Sequence, residues 1–488
     1  MNAAAQINQA FSANWTKLAL ISDERSFSFC ELYAQAVAIL QWLITQGCKA
    51  GDTIALRLPN GWPLAATYLA CILGRYRLVP VNPELNEDDQ RYIISRIETN
   101  LVIEDEAVLT ALRPVPVDTP SFDNSDSDVI AVFFTSGTMG RPKGVCHTLE
   151  ALVGNVVAFN KSQELDSNIR LYHVLPMAYM AGFLNTLLSP WLAGGAVLIG
   201  PRFRPAEALQ FWKRPLAWGA NAIWLTPTLA AVLVRMNRDP DIARKLSERM
   251  RHVFCGTAPL PIAVRQSFRA NFGCFLQESY GMSELLLVSA QTPIEAATQI
   301  NVGQLLPNIN ATFRAIPDNG VTELLIKTPY ALKSYLLEDG QCSATLDSTG
   351  SMPTGDTGQM VDDALIITGR LKDLIIRGGI NVSPVSIENI LQREVGVREV
   401  AVVGLPHEIW GESIVACLVA EDEVNVAELQ VKLQLRCTKE ISEGMRPDRY
   451  VWLCDLPRSS TGKLQKHLLV SKILKTATSS ITSLHAIL

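Results

Sequence analysis

The sequence predicts an α/β protein with a large N-terminal domain, followed by a small α+β C-terminal domain. Its 488 residues exceed what one ordinary hydrophobic core holds. Apolar residues make up 48% of the chain and charged residues 19%, which is typical of well-buried globular proteins. Strand-like and helix-like runs alternate along the first part of the chain, and this alternation favours layers with largely parallel strands.

The individual elements follow from hydrophobic runs and the turn residues between them. The predicted N-terminal elements are strands at 53–58, 78–81 and 128–134 and helices at 63–73 and 87–97. The predicted C-terminal elements are strands at 374–376, 400–405 and 414–420 and helices at 385–395 and 428–438. A short polar junction at 370–372 separates the two regions, so we place the domains at 1–370 and 371–488.

Composition narrows the range of functions. The net charge of −5 offers no global attraction to nucleic acid or to an anionic membrane. The ten cysteines form no CxxC pair and several lie in apolar runs, which favours buried thiols over a metal site. The first residues lack a signal-peptide pattern and no apolar run reaches roughly 18 residues. We therefore expect a cytoplasmic protein without a membrane span, and its oligomeric state stays open.

The most informative segment is 135–145, TSGTMGRPKGV, directly after a predicted buried strand. Glycines let backbone amides turn towards a polyphosphate, hydroxyls add donors and reach a magnesium ion, and a lysine supplies a point charge. A Walker A loop requires GxxxxGK[ST], but Pro142 replaces its second glycine and Gly144 follows the lysine. The alternative, a flexible surface turn, does not explain so specific a combination.

This segment resembles the signature loop of the adenylate-forming superfamily, which includes acyl-CoA synthetases, adenylation domains and firefly luciferase. The chain looks closest to the acyl-CoA ligases. Met139 stands where the family usually has Thr or Ser, so a neighbouring hydroxyl is expected to serve the phosphate, with differently tuned pyrophosphate handling. The resemblance implies MgATP, with Thr138 near the metal, and the following phosphate contacts: Thr135, Ser136, Gly137, Thr138, Gly140 and Lys143.

Three further motifs follow in the family's order. Residues 256–261, GTAPLP, resemble the loop beside the adenine and the acyl group. Residues 277–284, QESYGMSE, resemble the YGxTE motif, and miss GxSxG because Leu285 replaces its glycine, which disfavours a serine hydrolase. Residues 354–356, TGD, resemble the ribose-binding motif. The implied nucleotide contacts are Gly256, Thr257, Ala258, Glu278, Ser279, Tyr280, Gly281 and Asp356, with Tyr280 stacking on adenine, Ser283 binding the α-phosphate and Glu284 holding Mg²⁺.

The C-terminal part also matches the family. Arg370 is implied as a second ribose contact, Lys372 as the hinge, and Gly378 and Gly379 as the lining of the thiol's path. The family's PxEIE reads PVSIE at 384–388, with Ser386 as a departure. In PRSSTGK at 457–463, the catalytic lysine maps onto Lys463. The resemblance implies a multi-layer N-terminal domain with mixed, mostly parallel sheets and a mobile C-terminal domain that carries this lysine.

The acyl pocket is predicted around 175–182, LPMAYMAG, where Ala178 and Tyr179 replace the family's aromatic-His pair. No acidic residue lies between positions 175 and 188, where amino-acid-activating relatives carry an Asp. An uncharged, hydrophobic aliphatic or aryl acid is therefore predicted. The predicted acyl contacts are Tyr179, Met180, Phe183 and Met282.

Three hypotheses remain open at this point. The first is a ligase that forms an acyl-AMP and then an acyl thioester with CoA. The second is the same adenylation followed by transfer to the phosphopantetheine of a carrier protein. The third is a non-catalytic nucleotide-binding homologue. The departures at Met139, Tyr179 and Ser386 permit it, and the intact Lys463, Glu284 and Asp356 oppose it.

Overall fold

The computed structural model describes residues 2–123, 128–135, 142–201, 203–316, 321–336, 342–343, 346, 349–458 and 464–484. The chain divides into two compact units. The first contains Met1–Thr257, Phe268–Asn310 and Ile326–Met352, and the second contains Ala258–Ser267, Ala311–Leu325 and Pro353–Leu488.

Helices and strands alternate along the described residues. The helices are α1 (Ala3–Ala13), α2 (Phe29–Thr45), α3 (Trp62–Gly74), α4 (Glu87–Arg96), α5 (Glu106–Thr110), α6 (Leu149–Ser162), α7 (Met180–Phe183), α8 (Ser189–Leu192), α9 (Lys213–Ala217), α10 (Pro227–Met236), α11 (Ile242–Arg249), α12 (Ile262–Phe272), α13 (Pro293–Thr298), α14 (Pro384–Leu391), α15 (Val426–Glu440) and α16 (Lys466–Leu484). A π-helical turn spans Leu184–Leu188, and 3₁₀ turns span Pro205–Gln210, Leu371–Asp373 and Glu443–Met445.

The strands are β1 (Leu18–Ser22), β2 (Ser26–Ser28), β3 (Thr53–Leu56), β4 (Arg77–Pro80), β5 (Leu101–Ile103), β6 (Val129–Thr135), β7 (Lys143–Thr148), β8 (Arg170–His173), β9 (Ala196–Ile199), β10 (Ala222–Leu225), β11 (His252–Cys255), β12 (Gln277–Met282), β13 (Leu286–Ala290), β14 (Gln304–Leu305), β15 (Asn310–Ala315), β16 (Thr322–Lys327), β17 (Ser334–Leu336), β18 (Cys342–Ser343), β19 (Met352–Val361), β20 (Ala364–Arg370), β21 (Ile375–Arg377), β22 (Ile380–Val382), β23 (Val397–His407), β24 (Gly411–Ala420) and β25 (Arg449–Trp452).

Two mixed sheets form the first unit. One runs in the order β14-β13-β12-β11-β10-β8-β9-β1-β2, with parallel pairing from β12 to β1 and antiparallel pairing at both ends. The other runs β18-β17-β7-β6-β4-β3-β5, with β6, β4, β3 and β5 parallel and β6, β7, β17 and β18 antiparallel. The predicted mixed, mostly parallel sheets are therefore confirmed in this unit.

Local sequence explains why these elements form. Ser28 caps α2 in a capping box with Glu31, which satisfies two free amides at the start of the helix. Helix α3 is buried along almost its whole length, which explains why its residues are mostly apolar. Pro63 lies in its first turn, where a proline is tolerated because its missing N–H has no partner in the helix. Ile93 of α4 packs with Val79 and Val132 in a core cluster under the second sheet.

The second unit contains two groups of strands. The first has the order β15-β16-β19-β20, with β19 and β20 antiparallel. The second has the order β22-β21-β24-β23, with β25 parallel to β24. Helices α14 and α15 pack on this small sheet through Ile387, Leu391 and Leu429, whereas α16 contributes Leu469 to a separate cluster. The predicted α+β character of the C-terminal part is confirmed.

The helix predicted at 385–395 is shorter than expected. It ends at Leu391, and the chain turns through Gly396, whose φ of +101° favours glycine, into β23. In the part of the chain that the structure describes, no helix is both long and apolar enough to cross a bilayer.

Candidate active site

Both ends of the predicted phosphate loop are held by the β6–β7 hairpin. Thr135 and Lys143 face each other in the antiparallel register, so the loop starts and finishes at adjacent positions. Gly144 packs closely against Leu336 of β17, because a Cβ at position 144 would be 3.0 Å from the Cβ of Leu336. The predicted contacts Ser136, Gly137, Thr138 and Gly140 lie outside the described residues.

Ser283 and Glu284 lie on the tight turn between β12 and β13. The Leu285 amide donates to the Met282 carbonyl at 3.1 Å, and Leu286 takes a left-handed φ of +60° to enter β13. The Glu284 carbonyl accepts a hydrogen bond from the Leu332 amide at 2.7 Å. This turn presents the hydroxyl and the carboxylate on consecutive residues, both partly exposed.

Tyr335, which belongs to none of the sequence motifs, connects this turn to the base of the phosphate loop. Its hydroxyl donates to Oε1 of Glu284 at 2.8 Å. It lies on β17 directly opposite Val145 of β7, and Nζ of Lys143 is 5.7 Å from the centroid of its ring. Burial and the negative charge of Glu284 raise the pKa of Tyr335, so the phenol stays protonated and donates.

His147 makes a second connection between β7 and the turn. Its Nε2 lies 2.6 Å from the carbonyl oxygen of Ser283, so this nitrogen carries the proton and donates. The ring is fully buried, and burial lowers the pKa of His147 to about 4. Since strand residues two apart share a face, Lys143, Val145 and His147 all point to the same side of β7.

The chemistry of these groups fits a magnesium ion bound together with a nucleotide. No group of three or more His, Cys, Asp or Glu side chains in the described residues is arranged to hold a metal ion alone. A single carboxylate, Glu284, stands at the turn close to the base of the loop, and magnesium in nucleotide enzymes uses one or two carboxylates plus phosphate oxygens. Glu284 is thus the described side chain best suited to such a metal.

The loop after β11 is strained. Thr257 has a φ of +73°, which is unusual for a β-branched residue, and its hydroxyl is buried without a partner among the described residues. Gly256 approaches β12 closely, because a Cβ there would be 2.6 Å from Oγ of Ser279. The structure therefore brings the GTAPLP loop and the QESYGMSE strand side by side at Gly256 and Ser279.

The other nucleotide contacts predicted in these two motifs lie on β12 or on the loop after β11. On β12, Glu278 is buried, Tyr280 is partly exposed and Gly281 is exposed. On the loop, Ala258 is partly exposed.

The predicted acyl contacts divide by burial. Tyr179 is partly exposed, and its hydroxyl accepts a hydrogen bond from Nδ2 of Asn82 at 3.2 Å. Met282 is partly exposed at the end of β12, and Met180 is buried. The ring of Phe183 is only 1% exposed and packs 5.4 Å from that of Phe133, so it belongs to the hydrophobic core.

A buried polar network supports the segment that carries Tyr179. Asn60 accepts from the Met177 amide at 2.8 Å and donates to the Leu175 carbonyl at 2.8 Å. The Thr186 hydroxyl donates to the Gly182 carbonyl at 2.8 Å and lies 2.7 Å from Nδ1 of His173. Burial lowers the pKa of His173 to about 4, so this network is neutral at physiological pH.

In the second unit, Asp356 and Arg370 face each other across β19 and β20. Nε of Arg370 lies 3.0 Å from Oδ1 of Asp356, whose side chain is buried while that of Arg370 is half exposed. The backbone of Gly355 is left-handed, with a φ of +70°. The two predicted ribose contacts are therefore neighbours, and the arginine pairs with a buried carboxylate.

The predicted hinge and thiol residues lie in short turns. Lys372 sits in the 3₁₀ turn between β20 and β21. Gly378 and Gly379 form the two-residue turn of the β21–β22 hairpin, with φ values of +57° and +82° that favour glycine. Gly378 also packs on Trp410, where an added Cβ would be 3.0 Å from the indole ring.

Lys463 lies outside the described residues, but both flanks of its segment are anchored. Arg458 and Leu464 form an antiparallel bridge. Arg458 pairs with Glu399 at 2.5 Å, and Lys466 pairs with Glu388 at 2.7 Å.

Comparisons with known proteins show the family and the fold. A family model described as AMP-binding enzyme matches residues 8–336, and one described as AMP-binding enzyme C-terminal domain matches residues 386–463. Sulfoacetate–CoA ligase of Cupriavidus necator is 27% identical over 457 residues, covering 86% of this chain and 87% of the relative. Long-chain-fatty-acid–CoA ligase of Mycobacterium tuberculosis is 28% identical over 485 residues, covering 92% and 93%. The crystal structure of ATP-bound MatB from Rhodopseudomonas palustris is 24% identical, has a TM-score of 0.85 and covers 97% of this chain and 99% of that one, so the two share a fold.

Proposed function

Because the chain belongs to the AMP-binding enzyme family, we propose that it is an AMP-forming acid–CoA ligase. The observation that best supports this proposal is the arrangement of Lys143, Tyr335 and Glu284, which places a cation and a carboxylate at the base of the phosphate loop. The named relatives are CoA ligases that act on acids as different as sulfoacetate and long-chain fatty acids. They support the reaction class without selecting the acid.

The reaction has two steps. A carboxylate oxygen attacks the α-phosphorus of ATP, which forms acyl-AMP and releases pyrophosphate. The sulfur of CoA then attacks the acyl carbon, which forms the thioester and releases AMP. In the first step two anions meet, so cationic and hydrogen-bonding groups around the phosphates lower the barrier.

The predicted residues closest to the chemistry have the following roles in this proposal. Thr135, Lys143 and the loop between them bind the phosphates, and Ser283 donates to the α-phosphate. A magnesium ion, when bound at Glu284, would neutralise phosphate charge. Tyr280 stacks on adenine, and Asp356 with Arg370 holds the ribose hydroxyls. Lys463 stabilises the negative charge that builds up during adenylation.

The two steps need different groups at the same place: a lysine while acyl-AMP forms, and a thiol when acyl-AMP is consumed. We propose that residues 371–488 rotate about Lys372 relative to residues 1–370. One orientation delivers Lys463, and the other delivers Gly378 and Gly379 to the path of the thiol. The position of Lys372 in a single 3₁₀ turn supports this proposal, since a few residues at the end of an element are enough to absorb a hinge motion.

We further propose an uncharged hydrophobic acid as the substrate. In this proposal Tyr179, Met180 and Met282 contact its acyl group. No acidic residue occurs between positions 175 and 188, so nothing in this segment would bind a charged ammonium group. We propose a cytoplasmic location, which the free, buried thiols of Cys48, Cys71 and Cys417 support.

A panel of carboxylic acids, with pyrophosphate release as the signal, tests the proposal. We expect release that depends on a hydrophobic acid, and a loss of about a thousandfold in Lys463→Ala with unchanged ATP affinity. Lys475→Ala, which removes an exposed lysine from α16, is the matched control.

The thiol acceptor needs a separate measurement. Purified acyl-AMP should be converted by CoA and not by the phosphopantetheine of holo carrier proteins. If only carrier proteins convert the acyl-AMP, the acceptor is a carrier protein and not CoA. If no acid causes pyrophosphate release, the proposed function is refuted.

A further inference from the structure

The turn at Ser283 and Glu284 is held from two sides by residues that no sequence motif identified. The segment 332–335 runs between this turn and β7. The Leu332 amide donates to the Glu284 carbonyl at 2.7 Å, and the Lys333 amide donates to the Cys146 carbonyl at 2.8 Å. Successive amides of this segment therefore connect the turn to the strand that begins at the phosphate loop.

Tyr335 acts on the carboxylate itself. Its hydroxyl donates to Oε1 of Glu284 at 2.8 Å, and this bond does not use Oε2. The backbone of Tyr335 is held on both sides, because β17 pairs with β7 on one side and with β18 on the other. A donor fixed in this way selects one orientation of the Glu284 side chain.

His147 acts on the backbone of the same turn. The donor nitrogen Nε2 reaches the Ser283 carbonyl at 2.6 Å, and the ring has no exposed surface. This bond fixes the peptide unit between Ser283 and Glu284, and therefore the direction in which both side chains leave the turn.

We propose that Tyr335 and His147 are positioning residues that set the geometry of Glu284 and Ser283 for binding magnesium and the nucleotide phosphates. This inference rests on the proposed function, because it gives Glu284 the role of metal ligand. Residues that hydrogen bond to a metal-ligating carboxylate change metal affinity by about 10- to 100-fold when they are removed. A residue that merely stabilised the fold would not change the response to magnesium.

The test compares ATP affinity with magnesium and with EDTA, measured by calorimetry on the full chain. In wild type, magnesium should tighten ATP binding. In Tyr335→Phe, which loses only the hydroxyl, this tightening should shrink about tenfold, while the affinity for metal-free ATP stays unchanged. Tyr330→Phe is the matched control, since Tyr330 lies five residues earlier and its hydroxyl contacts Asn308 and Pro307 instead.

His147 is tested in the same way with two variants. His147→Leu removes the donor and should reduce the magnesium effect, whereas His147→Gln keeps an N–H donor and should restore most of it. Thermal unfolding without ligand shows whether each variant is folded. If His147→Leu is not folded, the comparison of Tyr335→Phe with Tyr330→Phe tests the proposal.

The possible failures are distinguishable. A wild-type protein whose ATP affinity ignores magnesium would overturn the proposed function, and the positioning role with it. A responsive wild type with an equally responsive Tyr335→Phe variant would overturn only the positioning role.

Discussion

Lys466→Met should impair adenylation while leaving thioester formation intact. Nζ of Lys466 pairs with Oε1 of Glu388 at 2.7 Å and donates to the Val402 carbonyl at 3.1 Å. These contacts anchor the chain three residues after Lys463. If Lys463 serves only the first step, loosening its segment affects only that step.

The magnitude follows from burial. Exposed ion pairs contribute about 0–1 kcal/mol, and removing one partner of a buried pair costs about 3–5 kcal/mol. The side chains of Lys466 and Glu388 are 20% and 18% exposed, and Glu388 keeps its bond from the Val402 amide at 2.7 Å. An intermediate cost of about 2 kcal/mol corresponds to a fall of up to about thirtyfold in the adenylation rate.

The assay measures the two steps separately, as pyrophosphate release from ATP and acid and as thioester formation from purified acyl-AMP. Arg436→Met is the control, because Arg436 forms similarly shielded ion pairs with Glu394 and Glu440 from helix α15. Equal losses in both steps, or the same loss of adenylation in the control, would refute the anchoring role of Lys466.

Two further predictions concern stability and the hinge. Burial lowers the pKa of His147 and His173 to about 4, so the unfolded chain binds protons first as the pH falls below 6.5. The free energy of unfolding should therefore decrease between pH 6.5 and 4, by up to about 1.4 kcal/mol per pH unit and histidine. Denaturant titrations at pH 7 and 5 measure the free energy of unfolding. We expect it to fall less between these pH values in His147→Gln than in wild type. A free energy of unfolding that does not change with pH in wild type would contradict the prediction. Ser383→Ala removes the 2.8 Å bond from Oγ to the Thr368 carbonyl, which spans the turn containing Lys372. A loss of about 1 kcal/mol should change the ratio of the two half-reaction rates up to about fivefold, and a ratio equal to that of Ser471→Ala, which removes an exposed hydroxyl from α16, would exclude this role.

Much of the fold follows from local patterns. Strand β3 and helix α3 were predicted within two residues of their bounds, because a continuous apolar run bounded by turn residues determines them locally. The end of α14 was placed four residues too far along, since its C-terminal boundary depends on the chain reversing into β23. Boundaries of this kind are set by tertiary packing.

Fewer of the contacts in the site could be predicted from the sequence. Glu284 and Lys143 belong to motifs, but Tyr335 reaches Glu284 from 51 residues away, through the pairing of β17 with β7. That pairing is long-range and leaves no local pattern. His147 could have been predicted, because strand alternation places it on the same face as Lys143. The roles of all the predicted site residues stay predictions, and Ser136, Gly137, Thr138, Gly140 and Lys463 also lie outside the described residues.

The central claim is that an acid attacks the α-phosphorus of ATP. Incubation of the enzyme with ATP, CoA and a hydrophobic acid whose carboxylate carries oxygen-18 tests it directly. One labelled oxygen should appear in AMP, because the thiol later breaks the bond between the acyl carbon and that oxygen. Label in inorganic phosphate, or unlabelled AMP despite thioester formation, would contradict the claim.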